Sequence, residues 1–84
     1  MARKPKPERG QPTSRSVAQR ELLGEMIRAQ RMERGWSQTE LAERSGENRF
    51  KIGLLERGER SVGVDTVLGV LDCMGLDLKL RRRS

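Results

Sequence analysis

The chain contains 84 residues with a formal net charge of +6, and 33% of the residues are hydrophobic. A chain of this length forms one small domain, whose core rarely supplies more than about 3–5 kcal/mol of stability, so we expect a second subunit to contribute. The sequence has no histidine and one cysteine, Cys73. It therefore lacks the usual metal ligands and the commonest general base, which argues against an enzyme and against a cofactor.

The positive charge is concentrated at the two ends of the sequence. Residues 1–20 hold six basic residues and one acidic residue, and residues 77–84 hold four basic residues and one acidic residue. Residues 21–76, in contrast, hold eight basic and ten acidic residues. Basic ends are typical of arms that attract nucleic-acid phosphates, although they also fit a role in solubility alone. Because the lone Cys73 has no internal disulfide partner and no apolar run suggests a signal sequence or membrane span, we expect a reduced, cytoplasmic protein.

The first segment, residues 1–15, is predicted to be a disordered basic arm. It contains all three prolines, several charges and no large apolar residue after Met1. Such a segment buries too little apolar surface to offset its conformational entropy.

A first helix is predicted to begin at a cap formed by Ser14 or Ser16 and to continue to about Arg34, where Gly35 ends it. Its apolar residues recur at helical spacing and are expected to enter the core. They are Leu22, Leu23, Met26, Ile27 and Met32. Trp36 is expected to pack beneath the next elements, with stacking on a base as the alternative.

A short helix beginning at Gln38 is predicted by Ser37 and Glu40, which form the Ser-x-x-Glu pattern of a capping box. Leu41 and Ala42 supply its buried face. Gly46 suits the left-handed conformation that ends a helix and turns the chain. Two short helices joined by a tight turn that contains glycine predict a helix-turn-helix motif.

The second helix of this motif is predicted to begin after Asn48, which caps it. Ile52 and Leu55 are three residues apart and are expected to point inward. Four residues remain on the other faces as candidates for reading bases: Arg49, Phe50, Lys51 and Leu54. Apolar side chains such as those of Phe50 and Leu54 suit the thymine methyl group, and they equally suit a protein partner.

The segment after the motif, residues 57–61, is a polar loop whose Arg57 fits either a contact with the DNA backbone or a solvated charge. A fourth helix is predicted from Val67 to about Met74, opened by Asp65 or Thr66 and ended by Gly75. Its inward face comprises Val67, Val70, Leu71 and Met74.

The pattern changes at residues 76–80, Leu-Asp-Leu-Lys-Leu, where apolar and polar residues alternate. This alternation predicts a strand with one buried face, formed by Leu76, Leu78 and Leu80. A single strand lacks a hydrogen-bonding partner in a helical chain, so we expect it to pair with the same strand of a second copy. The sequence therefore predicts a homodimer.

The stretch LLGEMIRAQRMERGWSQTELAERSGENRFKIGLLERGER, residues 22–60, resembles the phage-repressor type (Cro/XRE-like) helix-turn-helix family. The Ser-Gln-x-Glu-Leu-Ala run and the Leu-Glu-Arg-Gly ending carry the resemblance together. It implies that Gln38 clamps a DNA phosphate and that Arg49, Phe50 and Leu54 contact base edges. The candidate DNA-binding residues are Gln38, Thr39, Asn48, Arg49, Phe50, Lys51, Leu54 and Arg57.

Two positions depart from the pattern of that family. Glu47 stands where an apolar residue is more common, and Gly53 stands where a small polar residue is common. A glycine inside a helix costs about 1 kcal/mol relative to alanine, so the second motif helix is expected to lose rigidity.

The end of the chain extends the resemblance. A domain of this type followed by a helix, a Met-Gly-Leu-Asp-Leu-Lys-Leu strand and a stop is similar to the HipB-type antitoxins over roughly residues 20–80. This resemblance implies a dimer that represses its own operon and binds a HipA-type kinase toxin.

The predicted fold class is all-α, with four to five helices in a phage-repressor-like helix-turn-helix domain over residues 16–80 and a basic tail over residues 81–84. The predicted function is dimeric repression at a two-fold symmetric operator in double-stranded DNA, with a HipA-type toxin as partner. Three alternatives stay open: a regulator without a toxin, a protein-interaction module with nonspecific nucleic-acid affinity, and an RNA-binding protein that uses the basic tails.

Overall fold

The computed structural model describes residues 13–59 and 62–83. This part of the chain folds into four α-helices: α1 (Ser14–Glu33), α2 (Gln38–Ser45), α3 (Arg49–Glu56) and α4 (Val64–Cys73). Helix α3 packs against α1 and α2, and α2 also packs against α4. The all-α prediction is therefore confirmed for the described residues. None of these helices combines the length and apolarity that crossing a membrane would require.

The core lies where the four helices meet. Its buried residues come from every helix and from the turn after α4: Ile27, Leu41, Ala42, Ile52, Leu55, Val70, Leu71 and Met74. The inward positions predicted for the two motif helices are thus confirmed. Trp36 packs against this core, and the Arg44 guanidinium lies 4.3 Å from its ring centroid. This arginine covers ring surface that stacking on a base would need.

Helix α1 differs from its prediction at its cap and along its apolar side. Thr13 is the N-cap, because its Oγ1 accepts a hydrogen bond of 3.0 Å from the Ser16 amide. Of the five apolar residues expected in the core, Ile27 is buried and Leu23 is half-buried. The other three are more than half exposed: Leu22, Met26 and Met32. The prediction of a fully buried face was wrong, because the other helices cover one narrow stripe of α1.

Gly24 allows α1 to approach the end of α3. A Cβ atom at this position would lie 2.5 Å from the carbonyl oxygens of Leu55 and Glu56. These backbone atoms cannot move aside without moving the helix, so the crossing of α1 over α3 requires a residue without a side chain.

Helix α4 begins earlier than predicted. Its N-cap is Gly63, which makes no side-chain capping hydrogen bond, and Asp65 lies in the first turn rather than at the cap. The predicted inward face is confirmed, with Val70, Leu71 and Met74 buried. Val67 is half-buried against the core.

Residues 76–83 follow α4 without forming a strand within the described chain. Leu76 turns back onto α4, where its amide donates a hydrogen bond of 2.8 Å to the Leu71 carbonyl. Leu78 is 51% exposed and Leu80 is 94% exposed. The predicted strand over residues 76–80 is therefore not supported within one chain, because a strand requires a neighbouring backbone and this segment has none there.

The predicted disordered arm, residues 1–15, falls mainly outside the described residues, which begin at Thr13. Ser14 and Arg15 belong to α1.

Candidate nucleic-acid interface

The turn between α2 and α3 sets the orientation of the two motif helices. Gly46 adopts the left-handed conformation with φ of 75°, and its amide donates to the Glu43 carbonyl. The Ser37 hydroxyl caps α2, because its Oγ accepts a hydrogen bond of 3.0 Å from the Glu40 amide. The Glu40 carboxylate accepts from the Arg44 Nε at 3.3 Å. Of the two hydrogen bonds of a capping box, the one accepted by the Ser37 side chain is therefore present, while the Glu40 side chain turns toward Arg44 instead.

The start of α3 presents the predicted base-reading residues to solvent. Arg49, Phe50 and Lys51 are exposed, and Phe50 keeps 70% of its surface accessible. Leu54 is half-buried, four residues after Phe50 and on the same face of the helix. This surface combines two cationic side chains with an apolar ridge.

Asn48 and Glu47 hold the first turn of α3 in place. The Asn48 Oδ1 accepts from the Lys51 amide at 2.8 Å, as the predicted cap requires. Because this oxygen is occupied, Asn48 has its amide N–H groups left for an outside acceptor. The Glu47 carboxylate accepts a hydrogen bond of 3.1 Å from the Thr66 hydroxyl of α4, and it lies 3.6 Å from the Lys51 Nζ. Glu47 therefore ties α4 to the start of α3 in place of an apolar contact.

Gln38, the predicted phosphate clamp, lies against a buried ion pair. Its Nε2 donates to the Glu56 Oε1 at 3.2 Å. Glu56 in turn accepts two hydrogen bonds from Arg31. The Arg31 Nη1 also donates a hydrogen bond of 2.7 Å to the Trp36 carbonyl. Since a carboxylate only accepts, the amide nitrogen of Gln38 must face Glu56, which leaves its second N–H available. Hydrogen bonding to Glu56 raises the pKa of Arg31, while burial opposes that increase.

A comparison with known protein families agrees with this arrangement of α2, the turn and α3. The model of the Cro/XRE-type helix-turn-helix family matches residues 27–80, which is more than half of the chain. The chain belongs to the helix-turn-helix family. This is a family of DNA-binding regulatory domains. A search of curated proteins found no match.

Within the helix-turn-helix unit, the predicted site residues fall into two groups. Asn48, Arg49, Phe50 and Lys51 surround the start of α3, whereas Gln38 lies beside Glu56 at its end. At 1.5 Å per residue, the two ends of α3 are about 10 Å apart, close to the roughly 12 Å width of a major groove. Leu54 lies between the two groups along α3.

The remaining two predicted site residues lie at the margins. Thr39 is exposed at the second position of α2. The Arg57 Nε is 3.5 Å from a Glu59 carboxylate oxygen, with both side chains more than half exposed. A Cβ atom at Gly53 would lie 3.2 Å from the Arg57 Nη1. Gly53 therefore leaves space for this guanidinium to lie against α3.

Arg31 and Glu56 are the residues of the helix-turn-helix site that the sequence analysis missed. The signal was the spacing of Arg31, four residues after Ile27 and hence on the buried stripe of α1. A charged residue at such a position is rarely buried without a partner, so an acid on a facing helix was to be expected.

Proposed function

We propose that the protein is a dimeric, sequence-specific transcriptional repressor that binds a two-fold symmetric operator. The observation that carries the proposal is the surface at the start of α3, where exposed Arg49 and Lys51 flank exposed Phe50. Cationic side chains suit phosphates and guanine edges, and apolar side chains suit thymine methyl groups.

The proposed roles follow from where each side chain lies. Arg49 donates to a guanine edge, while Phe50 and Leu54 contact thymine methyl groups. Gln38 donates its free N–H to a phosphate, held in that orientation by Glu56. Further contacts to the DNA backbone, which fix the register of the protein on the duplex, come from Thr39, Asn48, Lys51 and Arg57. Transcription is blocked by occupancy, and no chemical step is involved.

Dimerisation is supported by the exposed apolar residues Leu22, Met26 and Leu78, which a single chain leaves in water. The segment at 76–80 is the proposed contact, through Leu76, Leu78 and Leu80. A dimer places two copies of α3 in successive major grooves about one helical turn, or 34–36 Å, apart.

Footprinting on the DNA upstream of its own gene tests this function. We expect two protected half-sites related by a two-fold axis and separated by a whole number of helical turns. Uniform protection of any fragment would instead favour a protein-interaction module with nonspecific affinity, using Phe50 and Leu54 to bind a protein. Tighter binding to RNA in a competition with duplex DNA would favour an RNA-binding protein.

We further propose that the repressor is the antitoxin of a HipA-type kinase toxin. Its support is the resemblance of roughly residues 20–80 to HipB-type antitoxins. Co-purification from the native organism tests this proposal. A kinase-like protein should remain bound to the wild-type protein and also to the Gln38→Ala variant, because toxin binding does not need the phosphate contact. Recovery of DNA-associated proteins without a kinase would favour a regulator that has no toxin.

A further inference from the structure

Glu47 brings a negative charge to the cationic start of α3. It is the only acidic residue between Arg44 and Glu56, and Arg49 and Lys51 follow it within four positions. A carboxylate at this point repels phosphates, so it lowers the affinity of the surrounding surface for any nucleic acid. Its contacts indicate a role that offsets this loss.

The two oxygens of the Glu47 carboxylate have different partners. Oε1 accepts a hydrogen bond of 3.1 Å from the Thr66 hydroxyl, and Oε2 lies 3.6 Å from the Lys51 Nζ. Thr66 is buried in the first turn of α4, and its β-branched side chain has few rotamers open to it. The carboxylate is therefore anchored to α4, unlike the mobile acid of an ordinary surface ion pair.

Lys51 is the group that this anchored carboxylate restrains. It lies in the first turn of α3, and its side chain keeps 47% of its surface exposed. Its ammonium is a compact charge on a flexible stem, so it reaches phosphates over a wide range of positions. Such contacts carry no sequence information, and they supply essentially all of nonspecific binding. A fixed carboxylate narrows the range, because the ammonium loses its ion pair when it moves away.

We propose that Glu47 is a specificity-determining residue that holds the Lys51 ammonium beside the anchored carboxylate and thereby weakens binding to nonoperator DNA. The inference rests on the operator binding proposed above and adds a restraint on one of its phosphate contacts. On the operator, base contacts seat α3 in the groove and bring a phosphate to the restrained ammonium. On random sequence those base contacts are missing, so Lys51 must leave Glu47 to reach a phosphate.

The two contacts of Glu47 differ in what they require. The hydrogen bond from Thr66 requires an acceptor, which a glutamine supplies as well as a glutamate. The attraction of Lys51 requires the negative charge. Glu47→Gln therefore keeps the connection between α3 and α4 and releases the ammonium.

Fluorescence anisotropy of Glu47→Gln on operator and random DNA tests the restraint. Binding to random DNA should tighten about 2–5-fold, the range expected for the loss of one exposed ion pair. The slope of log K against log salt on random DNA should steepen by up to about 0.9, as one more phosphate contact predicts. Operator affinity should change less, so the preference for the operator should fall. Thermal denaturation should match that of the wild-type protein.

Two comparisons separate the restraint from a general effect of charge. Glu40→Gln is the matched control, because it removes the same charge from another pair four residues apart, with Arg44, which has no proposed DNA contact. It should shift operator and random affinities by the same factor. In a Lys51→Ala background, Glu47→Gln should leave the operator preference unchanged. An equal fall in preference for Glu40→Gln, or a fall that persists without Lys51, would overturn the inference.

Thr66→Val tests the anchor without changing any charge. The carboxylate then moves with the ammonium, so random DNA should bind more tightly than with the wild-type protein, by a smaller factor than with Glu47→Gln. Thr66→Ser keeps the hydroxyl and should restore the wild-type preference. A wild-type preference in Thr66→Val would contradict anchoring by α4.

The outcomes also distinguish this inference from the proposed function. A protected operator together with unchanged affinity of Glu47→Gln for random DNA keeps the repressor and overturns the restraint. A gain on random DNA that depends on Lys51, without any protected operator, keeps the restraint and overturns the repressor function.

Discussion

Arg31 and Glu56 form a buried, two-pronged ion pair, with Nε 2.7 Å from Oε2 and Nη2 3.0 Å from Oε1. Their side chains keep 11% and 3% of their surfaces exposed. The pair connects α1 to the end of α3 and also orients Gln38. The stability of the fold and the position of the proposed phosphate contact therefore depend on the same two residues.

The first prediction concerns the loss of one member of this pair. Glu56→Leu leaves a buried guanidinium uncompensated, which typically costs about 3–5 kcal/mol, comparable to the whole stability of a domain of this size. We expect thermal denaturation to show a largely unfolded chain. The double variant Arg31→Met with Glu56→Leu should recover much of the stability, because it buries no charge. A double variant less stable than Glu56→Leu would contradict this reading.

The second prediction concerns the close approach of α1 and α3. Gly24→Ala should lower the free energy of unfolding by about 1–3 kcal/mol, because the new methyl group meets the Leu55 and Glu56 carbonyl oxygens. Gly69→Ala is the matched control: a Cβ there has no atom within 4 Å, so it should stabilise α4 by about 0.4–1 kcal/mol. Denaturant unfolding of both variants measures the difference. The same sign of change in the two variants would contradict the explanation.

The motif helices were predictable because local residues determine their ends. Ser37, Gly46 and Asn48 each act on groups within four residues of themselves, so the sequence alone locates α2 and α3. Ile52 and Leu55 follow from helical spacing. Local rules thus placed three of the four candidate base-reading residues, Arg49, Phe50 and Lys51, on the exposed side of α3, while Leu54 is half-buried.

The features that the sequence did not reveal depend on contacts between distant elements. Gly24 matters because α3 crosses it, and the Arg31–Glu56 pair joins residues 25 apart. The exposure of Leu22 and Met26 depends on how much of α1 the neighbouring helices cover. Helical spacing places Arg31 on the buried stripe of α1, but it does not identify Glu56 as the partner. The close approach at Gly24 and the exposure of Leu22 and Met26 have no short-range signature in the residues beside them.

The third prediction concerns the proposed dimer contact. Because Leu78 is 51% exposed within one chain, Leu78→Lys should leave the fold of the monomer nearly unchanged. In the dimer it would place two unpaired ammonium groups at the seam, a cost of several kcal/mol. We expect a monomer in sedimentation with a wild-type circular dichroism spectrum. A dimer at micromolar concentration that protects both half-sites would show that this segment is not the contact.

The fourth prediction concerns the basic arm. Residues 1–12 hold four basic residues and one acidic residue, and removing them leaves the Thr13 cap of α1 intact. Deletion should weaken binding to operator and random DNA alike and should flatten the dependence of log K on log salt, because each phosphate contact contributes a slope of about 0.9. Fluorescence anisotropy at several salt concentrations measures this slope. An unchanged slope would show that the arm does not contact DNA.

The central claim, that the start of α3 reads base sequence, is tested most directly by Arg49→Ala. Dissociation constants for the operator and for random DNA, measured at one salt concentration, separate base contacts from phosphate contacts. The proposed contact with a guanine edge predicts a loss of about 1–3 kcal/mol on the operator, a smaller loss on random DNA and relaxed preference at one position in each half-site. An equal loss on both DNAs would contradict it and would make Arg49 a phosphate contact.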